Sequence, residues 1–135
     1  MVIFEFFHQT NLSFLLYRVS ADGRELLMSI WLTDPGHDLP GVVTFRDLDD
    51  VDKMLAAAEK GGSAVVIGGG LLGIEAAYGL ARRGMAATVV HLMDVLMERQ
   101  LDASAGFLLT QAMADRGVET ILEAQSEEIV GRDGR

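Results

Sequence analysis

The chain has 135 residues, half of them hydrophobic, which is enough for one domain with a real core. Its formal net charge of −9 opposes binding to nucleic-acid phosphates and to anionic membrane surfaces. It contains no cysteine, which excludes disulfides, thiolate metal sites, iron–sulfur ligation and a redox dithiol within the chain.

No apolar run approaches the roughly 20 residues that span a bilayer. The apolar start, Met1 to Phe7, is not preceded by a basic region, and the first cation is Arg18. No signal peptide is therefore expected, and a cytoplasmic location is the default expectation. Neither nucleic acid nor a membrane is an expected partner.

Residues 1–40 read as an N-terminal segment and connector. Leu12–Val19 and Glu25–Leu32 are apolar-rich runs separated by Ser20-Ala21-Asp22-Gly23-Arg24. Asp-Gly between two such runs predicts a short β-hairpin. His8 reads as a solvated loop residue. Both prolines of the chain fall in Asp34-Pro35-Gly36-His37-Asp38-Leu39-Pro40-Gly41, which marks the boundary to a second unit over residues 41–135.

A helix is predicted over Asp47–Glu59, where Leu48, Val51, Leu55 and Ala58 follow the 3.6-residue period. Thr44 and Asp47 have the spacing of a capping box. Asp47, Asp49 and Asp50 crowd the first turn, where the helix dipole favours anions. The spacing does not fit a calcium loop, because Val51 occupies a ligand position and no glycine supplies the required turn.

Ser63-Ala64-Val65-Val66-Ile67 reads as a strand buried on both faces. Gly68 to Gly73 follows it. From Leu71 to Arg83 the pattern turns helical, with Ile74, Ala77, Tyr78 and Ala81 on one face and Gly84 at the end. Ala87–Leu92 is the next predicted strand, completing a βαβ unit. A helix over Asp102–Arg116 is expected to turn Ala105, Leu108, Leu109, Ala112 and Met113 inward. Val118–Leu122 would then be a third parallel strand. Glu127–Val130 reads as a strand entering a turn, with its partner absent, which reads as a piece of a larger unit. The fold class is α/β, with a Rossmann-like βαβ core and a parallel sheet.

Gly68-Gly69-Gly70-Leu71-Leu72-Gly73 matches G-x-G-x-x-G, and each glycine has a mechanical use. Gly68 permits the turn out of the strand. Gly70 lets the backbone approach a pyrophosphate. Gly73 lets the helix pack closely on the sheet. The N–H groups of the first helical turn, at Leu71 and Leu72, then face the anion. A plain strand–helix turn without a ligand is the competing reading. It is disfavoured because three consecutive glycines cost conformational entropy unless something uses them.

The motif is completed by a carboxylate about 20 residues on, for the ribose hydroxyls. Here the position 23 residues after Gly68 is His91, and the nearest acid is Asp94. His91 is a candidate to contact the adenosine half or to cap the strand end. No arginine lies between His91 and Val95 to receive a 2′-phosphate, which favours NAD(H) over NADP(H). Arg82 and Arg83 suit a helix C-terminus. There is no Walker lysine, no G-x-S-x-G and no histidine pair at metal-ligand spacing.

Three stretches carry a resemblance. They are Gly41–Asp50 (GVVTFRDLDD), Val65–Ala77 (VVIGGGLLGIEAA), and His91–Met93 followed by Leu96–Asp102 (HLM, LMERQLD). With them the chain resembles the pyridine nucleotide-disulfide oxidoreductases, and within that family the large subunits of NAD(P)H nitrite reductases. The resemblance covers roughly residues 34–135. It implies an NAD-binding domain set into an FAD-binding domain, with hydride passing from NADH to the flavin and on to other centres. It also implies that Glu75 lies near the nicotinamide side. A flavin-binding domain would be the partner of this segment. Residues 1–40 carry no first glycine motif for FAD. The Ala-Thr-Gly segment usual before the connector is replaced by Met28-Ser29-Ile30-Trp31-Leu32. No FAD site and no turnover are therefore expected from this chain alone. Two alternatives remain: a non-catalytic dinucleotide-sensing module, and an inactive fragment that binds nothing.

Overall fold

A computed structural model describes the backbone of residues 7–9, 12–19, 25–29 and 35–131, and the side chains of residues 35–131. In chain order the elements are β1 (Phe7–Gln9), β2 (Leu12–Val19), β3 (Glu25–Ser29), β4 (Val42–Thr44), α1 (Leu48–Lys60), β5 (Ser63–Ile67), α2 (Leu71–Arg82), β6 (Ala86–Val90), α3 (Ala103–Ala114), β7 (Val118–Ile121) and β8 (Ala124–Gly131).

The expected α/β architecture is present. β5, β6 and β7 form the anticipated parallel core, and β3 and β4 extend it to a five-stranded parallel sheet of order β4-β3-β5-β6-β7. β5 is central because its residues suit burial on both faces: Ala64, Val65 and Val66 are all buried. Alternation sends them to two different layers. Ala64 and Val66 pack with Met54, Ala57, Ile74, Ala77, Leu80 and Met113 from the three helices. Val65 packs with Val90, Ala124 and Ile129 on the opposite side.

A short N-terminal hairpin exists, but not where Asp22-Gly23 placed it. It joins β1 to β2, with Phe7 opposite Phe14 and Gln9 opposite Leu12. β3 is instead parallel to β4 and β5, with Leu27 opposite both Val42 and Val65. The reason is backbone pairing: β5 has an open hydrogen-bonding edge on that side, and β3 fills it. The Ser20–Arg24 turn itself lies outside the described residues. His8 belongs to β1 rather than to a loop. β8, expected to lack a partner, pairs in parallel with β2, with a bulge between Leu15 and Leu16.

Helix ends follow local chemistry. The N-cap of α1 is Asp47, whose Oδ1 accepts from the Asp50 N–H at 2.9 Å. Thr44 is not that cap, because it ends β4, and its hydroxyl donates to Asp50 Oδ2 at 2.7 Å. Gly61 ends α1 at φ 69°, its N–H bonded to the Ala58 carbonyl. The buried face of α1 is Asp50, Met54, Ala57 and Ala58, one step round from the predicted stripe, and Leu48 is 80% exposed. Asp102 caps α3 by accepting from the Ala105 N–H. Leu108 does not face inward as expected. Only Gly106 and Met113 of α3 are buried, and Phe107 and Leu108 are exposed. At Gly106 the helix packs directly on Val95 in the segment after β6, where a β-carbon would have no room, and Met113 and Leu109 join it to the core. No described helix is long and apolar enough to cross a membrane.

Candidate functional site

The site forms where β5 stops and α2 begins. Gly68 takes φ 108°, a conformation that side chains disfavour, and its N–H still donates to the Val90 carbonyl at 2.8 Å. β5 therefore stays paired to β6 up to the residue at which the chain turns. Gly70 is the N-cap of α2, and its carbonyl accepts the first helical bond from the Ile74 N–H at 3.0 Å. It offers no side-chain cap. By helix geometry the N–H groups of Leu71, Leu72 and Gly73 have no carbonyl four residues back in the helix. No acidic residue lies in this first turn.

The glycines differ in what surrounds them. A β-carbon on Gly73 would meet the Gly68 carbonyl oxygen, so the helix sits directly on the loop. A β-carbon on Gly70 would meet nothing within 4 Å. The loop is thus tight where helix and sheet touch and open where an anion would approach the helix N-terminus. That is the division of labour expected of the motif.

Gly69 is held at both ends. Its N–H donates to Nδ1 of His91 at 3.0 Å, and its carbonyl accepts from the Met97 N–H at 2.9 Å. A β-carbon there would lie 2.5 Å from Leu96 Cδ2 and 2.8 Å from His91 Cγ. Leu96 is completely buried. The segment after β6 therefore clasps the glycine loop from above.

His91 stands one residue past β6. Its backbone joins two strand ends: the N–H donates to the Ile121 carbonyl, and its carbonyl accepts from the Ala124 N–H. The ring is buried, and both ring nitrogens are engaged. Nδ1 accepts from Gly69, so the neutral ring carries its proton on Nε2, which donates to Glu98 Oε2 at 3.0 Å. Burial pushes the Glu98 carboxyl up. The hydrogen bond from its own N–H, the bond from His91, and the pull of His91 and Arg99 outweigh that and hold it below the ordinary glutamate range.

Gly68, Gly69, Gly70, Leu71, Leu72, Gly73 and His91 are thus brought to one end of the parallel sheet. Leu71 and Leu72 are exposed there, and Glu75 is exposed one turn further along α2. The sequence marked Leu96, Met97 and Glu98 only as part of a family resemblance and gave them no place in the site, because the segment carrying them is irregular and has no periodicity to read. Nor did it mark a groove of about 560 Å³ beside the site, lined by Phe45, Arg46, Asp47, Leu48, Val51 and Leu72. That groove arises because the start of α1 lies next to the first turn of α2. Arg82 lies 5.9 Å from the Tyr78 ring at the far end of α2, as a helix C-terminal cation. Among the described residues no group of three or more histidine, aspartate or glutamate side chains could hold a metal ion.

Residues 63–135 match the family described as pyridine nucleotide-disulphide oxidoreductase. Over 99 residues, 73% of this chain, the sequence is 56% identical to an NAD(P)H nitrite reductase of Bacillus subtilis (strain 168), of which it covers 12%. It is 41% identical over 96 residues, 71% of this chain, to an NAD(P)H nitrite reductase large subunit of Klebsiella oxytoca, of which it covers 10%. Among solved structures, an NAD-dependent persulfide reductase from A. fulgidus superposes with a TM-score of 0.72 at 28% identity. That match covers 83% of this chain and 22% of the other. The chain therefore spans about an eighth or less of the length of these curated relatives.

Proposed function

This chain belongs to the pyridine nucleotide-disulphide oxidoreductase family, and we propose that its glycine loop holds the pyrophosphate of NAD(H) for an FAD-dependent oxidoreductase of the nitrite reductase large-subunit type. The single observation that carries this reading is the shape of the loop. It is closed at Gly73 and open at Gly70, above a helix start whose N–H groups lack partners within the helix. The residues present fit the group. Open space at Gly70 admits a phosphate to the backbone, and the absence of acid in the first turn of α2 leaves the helix dipole uncompensated for an anion.

In this reading the N–H groups of Leu71 and Leu72 bind the pyrophosphate, and Gly68 and Gly69 shape the cradle. Glu75, exposed on α2, flanks the nicotinamide side. His91 acts at the adenosine side by fixing Gly69, since both its ring nitrogens are already committed. The dinucleotide, when bound, supplies a hydride for a flavin held by a partner domain. This chain's contribution is binding and orientation. NAD(H) is favoured over NADP(H), because no arginine occupies residues 91–95 at the end of β6.

Calorimetric titration of the purified chain with NADH, beside a Gly70→Val variant, tests this. Saturable binding that the variant loses while remaining folded supports the assignment. Equal affinity in the two proteins overturns it.

A further inference from the structure

Resting on that reading, we propose that Glu98 is the specificity-determining residue of this site. It places, through His91, the carboxylate charge that rejects a 2′-phosphorylated dinucleotide. In the general G-x-G-x-x-G arrangement an acid at the end of the second strand bonds the ribose 2′-hydroxyl and repels a phosphate there. This chain has His91 at that position and no acid beside it. The fold returns one through space: Glu98 Oε2 lies 3.0 Å from His91 Nε2, seven residues further along the chain.

The arrangement fixes the charge in place. The ring accepts from the Gly69 N–H on one side and meets Glu98 on the other, so the carboxylate is tied through the ring to the glycine loop. The Glu98 side chain is 28% exposed, so its charge is felt at the surface of the site. Its carboxyl is held below the ordinary range, which keeps it ionised at neutral pH. Arg99 does not cancel that charge: its Nε stands 3.9 Å from Oε1, and its side chain is 86% exposed, where solvent screens the pair. The whole stretch from His91 to Asp102 carries three carboxylates, Asp94, Glu98 and Asp102, against the single cation Arg99. A phosphate carrying nearly two negative charges would meet like charge there, whereas a ribose hydroxyl would not.

The test is Glu98→Gln in the full chain, with NADH and NADPH affinities measured by calorimetry. Gln retains an oxygen to accept from His91 and removes only the charge. Its expected effect is roughly a tenfold gain in NADPH affinity, with NADH changed less than about twofold. A variant that weakens both nucleotides together, or leaves their ratio unchanged, overturns the proposal and leaves Glu98 a purely structural role. A second measurement does not depend on the variant folding. In the unaltered chain, the preference for NADH should narrow as salt is raised from about 0.05 to 0.5 M, because screening shortens the reach of the charge. A preference indifferent to salt contradicts the proposal. Failure of the unaltered chain to bind either nucleotide removes the underlying reading itself, and this inference with it. That result is distinct from binding without discrimination.

Discussion

Gly73 faces the carbonyl oxygen of Gly68 so closely that a β-carbon has no room between them. The start of α2 is thereby seated directly on the turn that follows β5. Gly73→Ala must push helix and loop apart at a backbone atom, which cannot rotate away. A loss of about 2 kcal/mol or more is expected, in the upper part of the range for overpacking. Thermal unfolding checks it, and an unchanged midpoint would contradict the packing described.

Gly69 makes a different kind of close contact, with side chains. A methyl group there meets Leu96 and the His91 ring. Leu96 is fully buried and has little room to yield. Gly69→Ala should cost about 1–3 kcal/mol by overpacking. It should also weaken NADH binding, because it displaces the segment that clasps the loop. Denaturant unfolding and titration of the same variant separate the two effects.

Leu96→Ala removes the opposite half of that contact. A fully buried leucine truncated to alanine costs about 2–5 kcal/mol. Combined with Gly69→Ala, it should cost less than the two losses added, because the new methyl group on Gly69 occupies part of the space vacated by the leucine. A double-mutant cycle measures this, and strict additivity would show that the two residues do not share one packed site.

Asp50 is buried, yet it is bonded on every side: by the Thr44 hydroxyl at 2.7 Å, the Arg46 N–H at 3.2 Å and the Lys53 ammonium at 3.2 Å. The Thr44 hydrogen bond does most to lower its carboxyl below the ordinary aspartate range, burial opposes it, and Lys53 and Arg46 add to the lowering. A carboxyl with a depressed folded value binds protons more readily when unfolded. Its stabilisation is therefore complete above the ordinary aspartate range and is lost as the pH falls through the folded value. Asp50→Ala should destabilise the fold by about 1–3 kcal/mol at neutral pH. It should also flatten the acid side of the stability profile. A variant as acid-sensitive as the unaltered chain would contradict the assignment.

The parts of the fold set by local pattern could be read from the residues. The β-branched run Ser63–Ile67, the glycine loop and the apolar spacing of Leu71–Arg83 placed β5, the turn and α2 within a residue or two of where they lie. Pairing partners could not be read in this way. Asp22-Gly23 gave a local signal for a hairpin, but β3 joined the parallel sheet because β5 offered it an open edge. Backbone pairing across long sequence separations leaves no mark in the pattern of a single strand. The inward face of α3 was misjudged for a related reason. Gly106 packs directly on Val95, so one of the two buried positions of α3 is a residue that hydrophobic periodicity ignores. The glycine loop itself is legible because its glycines are demanded locally. The role of Glu98 is not, because only the folded chain brings it to His91.

The most direct measurement is the amide nitrogen–proton spectrum of the isotopically labelled chain, titrated with NADH. The account predicts saturable shifts concentrated at the N–H groups of Gly69 to Gly73, with smaller changes at His91 and Glu98. The amides of Gly79, Arg82 and Arg83, at the far end of α2, should stay still. Saturable shifts centred anywhere other than the glycine loop, or none in a chain that is folded, would contradict the claim that this loop holds the dinucleotide.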